Sequence, residues 1–122
     1  MSYNWGPHYI VPSEVIKKYS GSVLLREALD EDLLGKELEE LGFTGAIARI
    51  TNPWYYRQKN TDAWIKIGES RDKQENFPVR WDTTSLRNGQ YEILGLMHVF
   101  VRKNGGETAI ARENVVEITV DN

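Results

Sequence analysis

Phe77-Pro78-Val79-Arg80-Trp81-Asp82-Thr83-Thr84-Ser85-Leu86-Arg87-Asn88-Gly89-Gln90-Tyr91-Glu92-Ile93-Leu94 reads as a strand, a polar turn and a second strand. Val79 and Trp81 alternate with Arg80 and Asp82. The turn formers Asp82, Thr83, Thr84 and Ser85 then break the run, and after Asn88-Gly89 the alternation restarts with Tyr91 and Ile93 on one face. A period of two on both sides of a turn predicts an all-β protein. Within it, Leu86, Gly89 and Tyr91 predict a tyrosine corner: glycine tolerates the turn, and the phenol hydroxyl bonds nearby backbone. Trp81, in phase with Val79 and next to the turn residue Asp82, is predicted to be a core aromatic.

Outward from this stretch, strand patterns dominate. Residues 46–57 form a run rich in β-branched and aromatic residues; 58–62 is a polar turn, and 63–68 returns as the second arm of a hairpin. Residues 90–102 predict a long strand, Lys103-Asn104-Gly105-Gly106 a tight turn, and 107–120 a final strand with Val116, Ile118 and Val120 on its buried face. Asn52-Pro53 interrupts its run and suits an edge strand or a bulge. Upstream, Leu29, Leu33, Leu34, Leu38 and Leu41 follow helical spacing, with Asp30 as N-cap and Gly42 as the stop. Residues 13–18 suit either a helical turn or a strand.

The 122 residues suffice for a single domain with its own core, and an aromatic lead with a first strand or turn over 1–19 is predicted to precede a main body at 20–122, with a helical insertion at about 30–41. The net charge of −3 argues against a nucleic-acid partner, since such affinity comes from clustered Lys and Arg. Acidity is local: residues 1–45 carry eight acidic and four basic side chains, the rest ten and eleven. Without cysteine there is no disulfide, thiol nucleophile or cysteine metal site. No secretory signal and no membrane-spanning run is visible, so no membrane insertion is expected, and a cytoplasmic or virion origin stays open.

The motifs Gly21-Ser-Val-Leu-Leu25, Trp54-Tyr-Tyr-Arg57 with Trp64 and Ile67-Gly68, Trp81-Asp-Thr-Thr84 with Leu86, Gly89 and Tyr91, and Val116-Glu-Ile-Thr-Val-Asp-Asn122 follow one another in order. In this they resemble the bacterial immunoglobulin-like and fibronectin type III-like β-sandwich modules of surface and secreted proteins. The resemblance implies an immunoglobulin-like antiparallel β-sandwich, here with one short inserted helix. It further implies a non-catalytic binding or spacer module that contacts protein or glycan, in an extracellular or cell-surface setting. A self-assembling subunit of a capsid, sheath or filament is the first alternative, and an enzyme on the same scaffold the second.

Alternation places Trp54 and Tyr56 inward and Tyr55 and Arg57 outward, with Trp64 beside them on the returning strand. An exposed aromatic pair with an arginine suits a sugar ring or a protein anchor, although cross-strand aromatics also simply cover sheets. Tyr3, Trp5 and Tyr9 crowd the lead and are expected to pack on their own domain or to serve self-association, as edge strands also do. His8 and His98 are isolated, the acids of the helix lack the order of a calcium loop, and no nucleophile elbow or phosphate-cradling loop occurs. No metal, no cofactor and no catalytic residue is therefore expected.

Overall fold

The computed structural model describes residues 2–4, 10–12, 17–43, 45–103 and 105–122. Along the chain run β1 (Ser2–Asn4), β2 (Ile10–Val11), β3 (Lys18–Tyr19), β4 (Ser22–Glu27), α1 (Glu31–Glu40), β5 (Ile47–Gln58), β6 (Ile65–Ser70), β7 (Val79–Asp82), β8 (Gly89–Lys103) and β9 (Gly106–Val120). A single 3-10 turn, Lys73–Glu75, lies between β6 and β7.

The protein is mostly β with a short helix, but it is not an immunoglobulin-like sandwich. The large sheet is a curled half-barrel with the order β1-β9-β8-β5-β6, and β3 is a further partner of β9. It is mixed rather than antiparallel, because β1 and β3 both run parallel to β9. A small sheet, β2-β4-β7, lies against its inner face. The reason lies in the strand lengths. β5, β8 and β9, of 12, 15 and 15 residues, are neighbours in one sheet. Strands of that length twist and curl together instead of dividing between two layers. Register shifts in β5 at Ile47/Arg49 and at Trp54/Tyr55 add to the bend. Pro53 thus sits in an interior strand, just before an irregularity, where the ladder to β8 passes from Thr51↔His98 to Trp54↔Gly95.

The inward residues form two apolar clusters. At one end Trp81 is ringed by Tyr19, Tyr56 and Tyr91, at centroid distances of 6.2, 5.2 and 6.4 Å, above Ile93, Val116 and Ile118. At the other end Leu34 and Leu38 of α1 close over Ile50, Met97, Val99 and Val101. The helix has the ends its sequence implies. The Asp30 carboxylate accepts from the Leu33 N–H at 3.0 Å. After Leu41, Gly42 takes a φ of 78°, and the Phe43 N–H returns to the Leu38 carbonyl at 2.9 Å in a Schellman motif, with Phe43 packed on the same cluster. Of the 13–18 segment, Lys18 is strand, and 13–16 lie outside the described residues.

Candidate functional site

The β5–β6 hairpin carries the side chains singled out above. Tyr55 and Arg57 face away from the core, paired across the sheet with Leu94 and Glu92. The Arg57 Nε donates to Glu92 Oε1 at 3.0 Å, and the guanidinium lies 4.1 Å over the Trp64 ring. Arg57 therefore clamps Trp64 in place, a cation–π contact at a half-buried site. On the opposite side of the same hairpin, Ile65 pairs with Tyr56 and is 51% exposed. It lines a cleft of about 320 Å³ together with Tyr56, Gln58, Thr61, Ala63, Leu86 and Tyr91. The far wall of the cleft is the 82–91 corner. There the Tyr91 hydroxyl donates to the Arg87 carbonyl at 2.8 Å, while the Thr84 hydroxyl and N–H both donate to Asp82 and hold its carboxyl below the usual carboxylate range.

The other residues of interest stand apart from this hairpin. Trp81 is buried, and Gly89 opens β8. Tyr3 belongs to β1, whose backbone pairs with Ala111–Glu113 of β9, whereas Trp5, Tyr9 and His8 lie outside the described residues. His98 faces outward beside Phe100. The acids of α1 do not converge on a cation site: among the described residues no three His, Asp or Glu side chains are grouped to hold a metal.

One constellation escaped the sequence reading. Between the two apolar clusters lies a layer of buried polar side chains: Glu27 of β4, Asn52 of β5, and Arg112 and Asn114 of β9. They occupy inward positions where the alternation calls for apolar residues, as in Ile110-x-Arg112-x-Asn114-x-Val116. β8 contributes Gly95, directly opposite both Trp54 and Asn114. The missing side chain makes room for the carboxylate, because a Cβ at Gly95 would stand 2.5 Å from Glu27 Oε2. Asn114 Nδ2 donates to Glu27 Oε1, and Arg112 Nη1 lies 2.8 Å from Met97 Sδ. Burial pushes the Glu27 pKa up to about 7, against the pull of the Asn114 amide, the Arg112 charge and Asn52. A polar break in the inward pattern of β4, β5 and β9 was the available signal, but recognising it requires knowing that the fold lays β4 across the large sheet.

No protein-family model and no curated protein matches the chain. No helix among the described residues is long and apolar enough to cross a membrane.

Proposed function

We propose that this protein is a non-catalytic binding module whose partner is a protein, gripped at the β5–β6 hairpin. The observation that carries this reading is the exposed Ile65 beside an apolar cleft, with the Arg57-clamped Trp64 on the reverse side of the same hairpin. Tyr, Trp and Arg anchors held rigid before contact lose little entropy on binding, which is what an interaction hot spot requires. The guanidinium covers one face of the indole. That argues against a sugar stacked there and in favour of a protein contact. Glu27, whose pKa burial raises to about 7, is fully buried and away from the cleft lining, which speaks against a role for it in acid–base chemistry at the cleft. Edge-to-edge assembly of a structural subunit finds less support, since β1 and β3 already pair along β9 at Ala111–Glu113 and Thr119–Val120. With the sandwich gone, the resemblance no longer argues for a surface or secreted setting.

The test is affinity capture from an extract of the source, with the purified protein as bait, Trp64→Ala and Ile65→Asp as paired controls, and a glycan array run in parallel. The expected result is a discrete protein retained by the wild type and lost from both variants, whose melting temperatures stay close to wild type. Equal retention by all three baits would overturn the site. Array binding abolished by Trp64→Ala would make the partner a glycan.

A further inference from the structure

Glu27 is the carboxylate that reaches from the small sheet into the floor of the large one, and its two oxygens have different surroundings. Oε1 accepts from Asn114. Oε2, wedged against Gly95, is buried and has no hydrogen-bond donor among the described residues. Asn52 acts directly on this carboxyl, and its Oδ1 is likewise buried with no donor among the described residues, while its Nδ2 turns to the Pro53 carbonyl at 3.5 Å. Two neighbouring buried acceptors without a donor are costly, and a single proton removes the conflict.

We propose that the folded protein carries a proton on Glu27 Oε2, donated to Asn52 Oδ1, and that this O–H···O bond is a pH-operated latch between the small sheet and the large one. Closing the latch forms the Oε2–H bond as an O–H bond of hydronium breaks and releases water; opening it transfers the proton back to a solvent water. Turned about its last bond, the Asn52 amide presents Nδ2 to the ionised carboxylate instead, so its orientation follows the proton.

The groups facing Glu27 from each element around it decide whether the latch works near neutrality. Arg112 on β9 is the charged group, and it favours the ionised form, as do Asn114 and Asn52. β8 offers Gly95 and β2 offers Ile10, neither of which titrates. The remaining buried titratable side chains among the described residues, Glu37 of α1, Tyr19 of β3 and Tyr91 of β8, are not among the groups that act on Glu27. Burial outweighs the attractions, so the proton is held up to about pH 7.

Two measurements on the intact chain test this. Carbon-13 titration of the side-chain carboxyls should place the Glu27 midpoint within about one unit of 7, against an ordinary value of 4.5. Amide hydrogen exchange, corrected for its intrinsic pH dependence, should show β4 losing protection relative to β8 and β9 by about tenfold per pH unit between the two values, then levelling. Glu27→Gln supplies a permanent N–H donor for Asn52 Oδ1, and its β4 protection should be flat over the same range. A Glu27 midpoint below about 5, β4 protection independent of pH, or an unchanged pH dependence in Glu27→Gln would each overturn the latch. Should that variant fail to fold, the carboxyl titration of the unmodified chain still decides.

Discussion

At the scale of single residues, glycine positions with different surroundings should respond differently to one added methyl. A Cβ at Gly95 would meet a carboxylate that is itself locked in a buried layer, so Gly95→Ala is expected to destabilise by about 1–3 kcal/mol in urea denaturation. At Gly45 the obstacle is the Arg102 backbone carbonyl, which moves less readily than a side chain, and Gly45→Ala should cost more than Gly95→Ala. Gly35, exposed within α1 with nothing near its Cβ position, should gain up to about 1 kcal/mol on conversion to Ala. Tyr91→Phe removes the donor to Arg87 and should cost about 1 kcal/mol with little change in denaturant slope. Glu27 gives stability a pH dependence of definite sign. Its folded pKa of about 7 exceeds the ordinary 4.5, so its contribution is complete below pH 4.5 and is lost as pH rises through 7. The loss is roughly 3 kcal/mol and should be absent from Glu27→Gln when the two are compared across that window. These effects belong to the environment of each residue. From the sequence alone Gly35 and Gly95 look alike, each a glycine inside a regular element.

At the scale of elements, the helix was legible because all of its determinants are local: the leucine spacing, Asp30 at its start and Gly42 at its end lie within 14 residues of chain. A helix of 10 residues is nonetheless too short to persist alone, and its stability comes from Leu34 and Leu38 against the half-barrel. Leu38→Ala should therefore cost about 2–4 kcal/mol, and Asp30→Ala about 1 kcal/mol, both read from denaturation midpoints. The β8–β9 hairpin was legible for the same reason, being one continuous ladder from Gly89↔Val120 to Lys103↔Gly106. Pro53 was harder to place. Its missing N–H suggests an edge, yet the irregular stretch of β5 lets it sit between β8 and β6.

At the scale of the whole molecule, pairings between distant segments decide the architecture, and the sequence carries little trace of them. The 82–91 corner is compatible with a sandwich and with a half-barrel alike, so a local pattern of strand, turn and strand supported the wrong global reading. The parallel pairing of β1 and β3 with β9 has no local signature, and the polar layer of Glu27, Asn52, Arg112 and Asn114 becomes a unit only once β4 is laid across β5 and β9. This topology yields a further prediction. Because β1 covers the β9 backbone at Ala111–Glu113, deleting residues 1–4 should raise the tendency to associate, seen as an increase in light scattering with concentration. Unchanged scattering would mean that an uncovered β9 edge is harmless. The same two parallel pairings also order events in time. Ser2 and Lys18 find their partners, Ala111 and Thr119, in a strand translated about 100 residues later, a delay of roughly 5–20 s at ordinary rates of synthesis. These two short segments are thus made long before the strand that seats them, and they must wait beside the nascent hairpin without committing to another partner.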